Sequence, residues 1–232
     1  MKSGAKRRAG RIIFVTGTDT GVGKTMLTLL LARYLREKSI RVAALKPICS
    51  GGRDDATLLH KALGGALTLD EINPWHFRAA QAPLLAARAE GERVDLAEVV
   101  AHVRRIRARF DCVLIEGAGG LLSPLGEGFN TRRLITSLRA TPIVVCPNRL
   151  GAITQTLTVL AALPRHAAKH AQLVLVSPET PDANTRTNAG LLSEFVERRR
   201  VHVLPWLRHA RLLPETRLTS KLRDVASAVL GE

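Results

Sequence analysis

Strand-length apolar runs stand at 11–16, 40–45, 112–115, 141–146, 173–176 and 201–204, and helical patterns separate them. The first such pattern is the most regular. Met26, Leu27, Leu30, Leu31 and Leu35 fall on one helical face, while Arg33, Arg36, Glu37 and Lys38 crowd toward the exposed end. Further helices are expected to open at 53–59 and to run over 84–89, 96–109, 188–199 and 218–230. Residues 72–83, rich in Pro, Asn and Ala, read as an irregular loop over the site. Strands alternating with helices predict a three-layer α/β domain, a mainly parallel sheet with helices on both faces.

The first strand runs into Gly17-Thr18-Asp19-Thr20-Gly21-Val22-Gly23-Lys24-Thr25 and then into the first helix. Gly17, Gly21 and Gly23 admit backbone conformations that a Cβ would penalise, so successive N–H groups can turn inward on an anion. The helix start adds unpaired N–H groups and the positive end of its dipole. Lys24 would reach terminal phosphates and Thr25 would hold Mg²⁺, which makes the fold phosphate-loop NTPase-like. Thr18 stands where the usual pattern has its first glycine, with Gly17 one residue earlier.

Two further strand ends carry chemistry. The second strand delivers Lys46-Pro47-Ile48-Cys49-Ser50-Gly51-Gly52 at its carboxyl end, where open α/β sheets form their ligand crevice. Asp54 and Asp55 follow at a helix start, and Asp55 reads equally as a helix cap or a metal ligand. The run 112–115 ends in Glu116, the position that supplies a metal-side acid in phosphate-loop enzymes. Gly117, Gly119 and Gly120 then let backbone approach a ligand closely. The stretch 148–154 starts a helix whose free N–H groups could receive a carboxylate.

Composition narrows the classes. The chain has 232 residues, 46% apolar and 24% charged, enough for a single α/β domain over 11–232 behind a disordered basic tail at 1–10. Its net charge of +15 is spread over groups such as Lys6-Arg7-Arg8, Arg104 to Arg109 and Arg198-Arg199-Arg200, with aromatics at only 3%. A base-stacking groove would need aromatics beside its cations, so no nucleic-acid partner is expected. Cys49, Cys112 and Cys146 form no pairing pattern, which points to a reducing, cytoplasmic setting. No run approaches the ~20 apolar residues of a membrane span.

These segments resemble the dethiobiotin synthetase family, the ATP-dependent carboxylases of biotin synthesis. The resemblance is carried by 14–25, Lys46 to Gly51, Asp55-Ala56, Asn73-Pro74 with Phe77, 116–120, Leu150-Gly151 and Pro205-Trp206-Leu207, in the family's order. It implies a homodimer that converts 7,8-diaminononanoate, CO₂ or bicarbonate and MgATP to dethiobiotin, ADP and phosphate. It also implies catalytic roles for Lys24, Lys46 and Thr20, Mg²⁺ held by Thr25, Asp55 and Glu116, and a substrate side formed by Thr20, Lys46 and Ser50. Leu150, Gly151, Ala152 and Ile153 would receive the substrate carboxylate from the neighbouring subunit. The nucleotide would lie against Gly21, Val22, Gly23, Lys24, Thr25, Glu116, Gly119, Ser177, Pro205, Trp206 and Leu207.

Three positions depart from the family pattern: Gly21 replaces a frequent acid, Thr154-Gln155 an Asn-His pair, and Ser177-Pro178 an Asn-Asp pair that reads adenine. The competing readings are a partition or septum-positioning switch ATPase, a cobalamin-type amide synthetase, and a relative that has lost the reaction. Switch ATPases carry a signature lysine early in the loop, where this chain has Asp19. Amide synthetases continue into a glutamine-hydrolysing domain, for which this chain is too short.

Overall fold

The computed structural model describes residues 10–206 and 215–231, the side chains of 215–219 excepted. From the amino end the chain builds β1 (Arg11–Gly17), α1 (Lys24–Glu37), β2 (Val42–Leu45), β3 (Ile48–Ser50), α2 (Asp54–Leu63), α3 (Leu69–Ile72), β4 (Trp75–Phe77), α4 (Pro83–Ala89), α5 (Leu96–Arg107) and β5 (Cys112–Glu116). It continues through β6 (Pro124–Gly126), β7 (Phe129–Asn130), α6 (Thr131–Leu138), β8 (Thr141–Pro147), α7 (Ala152–Ala162), α8 (Arg165–His170), β9 (Gln172–Val176) and α9 (Ala183–Phe195). A 3-10 turn (Arg198–Arg200), β10 (Val201–Leu204) and α10 (Glu215–Leu230) close it.

The apolar runs became one six-stranded sheet in the order β10-β9-β8-β1-β5-β2, with every pairing parallel. A parallel sheet covered on both faces needs apolar side chains on both, which is why β1, β2 and β5 read as runs rather than alternations. Register then fixes chemistry. Val15 lies beside Glu116 and Leu45 beside Ile115, so the phosphate loop, Glu116 and Lys46 leave three neighbouring strands at one end of the sheet. Helix α1 packs against α2 and α10, extending the outer layer. Among the described residues, no helix is long and apolar enough to cross a membrane.

Several expectations need correction. The stretch 72–83 is not wholly irregular: α3 ends in it, and β4 pairs in parallel with β3, Ile48 opposite Trp75 and Ser50 opposite Phe77. Burial of Ile72 and Phe77 in the core drives this, and α3 starts at a reciprocal cap in which the Thr68 hydroxyl and Glu71 carboxylate each accept a backbone N–H. Thr68→Ala is expected to cost about 1 kcal/mol of stability, read as a lower denaturant midpoint.

The helix expected at 188–199 instead runs Ala183–Phe195. Asp182 caps it by accepting from Thr185 N at 2.8 Å, and Asn188 faces inward to donate to Asn148 Oδ1 and the Arg149 carbonyl, both at 3.0 Å. Gly10 is buried, and its carbonyl accepts from Arg107, so it does not belong to a free tail. Residues 1–9 and Leu207 lie outside the described residues. The hairpin β6–β7 and helices α6 and α8 carry no periodic signal long enough to predict them. Cys49, Cys112 and Cys146 are buried free thiols, and burial pushes Cys112 up to about 12.

Candidate active site

The phosphate loop owes its shape to two glycines. Gly21 and Gly23 adopt φ of 73° and 103°, in the left-handed region that penalises a side chain, and Gly23 is the residue from which α1 starts. Gly17 has no such backbone: a Cβ there would sit 2.6 Å from Val22 Cγ2, so it is needed for space. Lys24 is 6% exposed and donates to the Asp19 carbonyl at 2.6 Å, across the loop. Burial lowers its pKa to about 8, helped by the nearby Lys46 charge and opposed by Glu116, Asp19 and Asp55.

A second cation closes the site. The Lys46 backbone donates to Ile72 O at 3.0 Å and its carbonyl accepts from Asn73 Nδ2 at 2.7 Å, which fixes the residue as it leaves β2. Its ammonium donates to Glu116 Oε1 at 2.6 Å and to Asp55. Burial opposes that charge, but the two carboxylates outweigh it and hold the Lys46 pKa above its ordinary value. Thr25 donates to the same Glu116 oxygen at 2.7 Å, so Glu116 joins the phosphate loop to Lys46. Burial pushes Glu116 up, against the pull of Lys46.

Asp55 stands in the first turn of α2, where an acid suits the helix dipole. No side chain caps α2, whose preceding residue is Arg53, and the Asp55 carboxylate turns to Lys46. Glu116 Oε2 is buried and accepts no hydrogen bond. A buried carboxylate oxygen without a donor suits a cation, and Thr25, Asp55 and Glu116 supply the hard oxygens that Mg²⁺ takes. Among the described residues no three His, Cys, Asp or Glu side chains could hold a metal by themselves. Such a sparse set matches Mg²⁺ held largely by phosphate and water.

Two clefts meet here. One, of about 390 Å³, is lined by the loop from Thr20 to Met26 and by Glu116, Pro147, Val176 and Trp206. The other, of about 620 Å³, is lined by Cys49 to Gly52, Asp54, Ala80 to Pro83, Ala118 and Ser123. Thr20, Lys46, Asp55 and Gly119 belong to both. The structure therefore brings together Thr20 to Thr25, Lys46, Ser50, Asp55, Glu116, Gly119 and Trp206 from the expected set. Ser50 donates to the Gln81 carbonyl at 2.5 Å, which ties β3 to the loop covering the second cleft.

Other expected residues stand apart. Leu150, Gly151, Ala152 and Ile153 line neither cleft of their own chain, and Leu150 is 79% exposed at the start of α7. Ser177 is buried, with its N–H on the Leu204 carbonyl at 2.9 Å, and it lines neither cleft; nor does Pro205. Sequence reading missed Arg53. Its guanidinium donates to Leu69 O and Asn73 O, both at 3.0 Å, to Asn73 Oδ1 at 3.2 Å and to Asp70 at 2.8 Å, holding the start of α2 and hence Asp55. No local pattern could have shown contacts 16 to 20 residues away.

Parallel sheet, phosphate loop on β1 and acid on the adjacent strand define a phosphate-loop NTPase-fold protein. The family described as "AAA domain" matches residues 11–211. Among solved structures, MinD cell division protein from Aquifex aeolicus superposes with TM-score 0.61 at 14% identity, covering 96% of this chain and 98% of its own. A ParA family ATPase from Chlorobium tepidum TLS gives 0.59 at 12%, covering 94% and 99%. At such identities the likeness describes the fold alone. Sequence relatives go further. The ATP-dependent dethiobiotin synthetase BioD of Anaeromyxobacter dehalogenans is 39% identical over 202 residues, covering 84% of this chain and 90% of its own. That of Akkermansia muciniphila is 37% identical over 186 residues, covering 80% and 87%. The chain belongs to the ATP-dependent dethiobiotin synthetase family.

Proposed function

We propose that this chain is an ATP-dependent cyclo-ligase that forms dethiobiotin from 7,8-diaminononanoate and CO₂, working as a single α/β domain. The observation that carries this reading is the shared wall. Lys46 lines both the cleft that holds the phosphate loop and a second cleft beside it, the place where the proposed reaction would pass a phosphoryl group from one to the other.

The chemistry asks for that arrangement. One amine of the substrate adds to CO₂ and loses a proton, giving a carbamate. A carbamate oxygen bonds to the γ-phosphorus as the bond to the bridging oxygen breaks and ADP leaves. The second amine then attacks the carbonyl carbon, expels phosphate and closes the ureido ring. The carbamate and the triphosphate are both anions, so their approach needs fixed positive charge at the point of contact. Lys24 covers the terminal phosphates and Lys46 the incoming oxygen. Thr20 and Ser50 orient the substrate side, and Gly119 lets backbone close over both clefts. Bound Mg²⁺ would neutralise phosphate charge, held by Thr25, Asp55 and Glu116.

Leu150, Gly151, Ala152 and Ile153 act on the substrate carboxylate of the neighbouring subunit in a homodimer. Their support is the start of α7, where Leu150 and Gly151 are exposed although Ala152 is buried, and which their own chain leaves outside both clefts. Trp206 lies against the nucleoside, while the nucleotide roles of Ser177, Pro205 and Leu207 rest on the family resemblance. The three free thiols fit a cytoplasmic setting.

The test is phosphate release from MgATP with and without diaminononanoate and bicarbonate, with the product identified by mass. Release that requires both, with the mass of dethiobiotin, is expected. Release indifferent to the diamine would transfer the assignment to a switch ATPase.

Lys24 gives the site a pH signature. Its folded pKa lies at about 8 against 10.5 for a free lysine. Below pH 8 the buried charge is a standing cost to stability. Between the two values the unfolded chain binds more protons, so stability rises with pH and the cost is gone above 10.5. Phosphates favour the charged form, so nucleotide affinity should fall by up to about tenfold per pH unit above 8. Calorimetry of MgADP binding at rising pH, in buffers of different ionisation enthalpy, should show proton uptake approaching one. A flat affinity, or the same decline in Lys24→Arg, would remove Lys24 as its source.

A further inference from the structure

The amino ends of β1, β8, β9 and β10 open a separate cleft of about 720 Å³. β1 spans seven residues at about 3.3 Å each, which puts this cleft roughly 20 Å from the phosphate loop at the sheet's other end. Its walls carry Arg11, Lys169, His170, Arg199, Arg200 and His202, and one acidic side chain, Asp224. None of these residues lines either cleft of the active site.

Arg11, Lys169, Arg199 and Arg200 are the cations of this cleft, while burial lowers the His202 pKa and keeps that ring neutral, and among the described residues few of the cations are balanced. The Arg200 guanidinium is half-buried and donates to the carbonyls of Ala171, at 2.8 Å, and Ala168. Those partners are neutral. Arg11 reaches the Val229 carbonyl at 3.5 Å, the limit of a hydrogen bond. Arg199 pairs with Glu197 at 2.7 Å, and His202 shares a 3.0 Å bond with Gln172 Oε1. The Lys169 and His170 side chains are exposed and have no hydrogen-bond or ion-pair partner among the described residues; the His170 carbonyl accepts from Gln172 Nε2 at 3.3 Å. Cations gathered in a partly enclosed cleft repel one another more than on an open surface, and a bound anion removes that cost.

We propose that this cleft is a second anion-binding site, taking a small multivalent phosphate compound. Its volume suits a small molecule rather than a single ion. Cations reach it from β1, α8 and the segment entering β10, so a ligand with several charges set apart can meet them together where orthophosphate cannot. Guanidinium groups add the paired donors that phosphate oxygens match. The proposal stands independently of the reaction assigned to the other end of the sheet.

Calorimetric titration of tripolyphosphate, pyrophosphate and orthophosphate tests it. The full chain is first loaded with Mg²⁺ and one equivalent of a non-hydrolysable ATP analogue, at about 150 mM salt to suppress diffuse attraction. One saturable site is expected, with tripolyphosphate bound at least about tenfold more tightly than orthophosphate. Lys169→Glu and Arg11→Gln should each weaken tripolyphosphate by about tenfold, whereas Arg132→Glu, on exposed α6, should leave it unchanged. Lys169 is exposed, so its variant keeps the test valid if Arg11→Gln fails to fold. Absence of a saturable site, or equal weakening by Arg132→Glu, would overturn the proposal.

Discussion

Lys46→Ala is expected to lower turnover on the order of 10³-fold while MgADP affinity changes little, because the role proposed for Lys46 is on charge that develops as the new oxygen–phosphorus bond forms. The variant also leaves Glu116 without its ammonium, in a site where Glu116 is 1% exposed. An uncompensated buried charge is costly, so Glu116 should take up a proton and the thermal midpoint should fall modestly. The double variant Lys46→Ala with Glu116→Gln removes that charge and should recover much of the midpoint but none of the turnover. Steady-state phosphate release and thermal melting on the same samples separate the two effects. Turnover within a few-fold of the parent would end the catalytic role proposed for Lys46.

Glu116→Gln should produce the second large effect, on metal dependence. The amide keeps an acceptor for Thr25 but loses the charge that pairs with Lys46 and would serve the proposed Mg²⁺. The Mg²⁺ concentration giving half-maximal activity is expected to rise at least about tenfold. Lys46 also loses its more buried carboxylate partner, so its raised pKa should drop. Folding should survive, since a neutral buried amide costs less than an unpaired carboxylate. A Mg²⁺ titration of activity checks this, and an unchanged midpoint would make Glu116 a structural strand-end acid.

How far the sequence could be read follows from the range of the forces. The six sheet strands were legible because two-sided burial writes a continuous apolar run, and the phosphate loop because left-handed turns demand glycine at Gly21 and Gly23. Lys46 and Glu116 were legible as strand ends, since topology brings the carboxyl ends of parallel strands together. Short pairings were not. β4 is three residues long, and its partner β3 lies more than twenty positions earlier, so no local period marks it.

The placement of α9 was misread for a different reason. Asp182 and Thr185 form the cap that starts α9 five residues before the expected 188. The Asn188 side chain is engaged with Asn148 and Arg149 from the next layer, a tertiary demand that outweighed local preference. Gly17 shows the same limit in miniature: the sequence said glycine, and only packing against Val22 said why.

The common wall of Thr20, Lys46, Asp55 and Gly119 also bears on inhibition. Two weak ligands, a phosphate mimic in one cleft and an amino-acid-like group in the other, would each touch these four residues and so lie close together. Joined by a short linker, the second would bind at an effective concentration in the millimolar range, and the pair could exceed either fragment by about 10²–10⁴ in affinity. The four residues common to both clefts would then be what a single bivalent molecule covers.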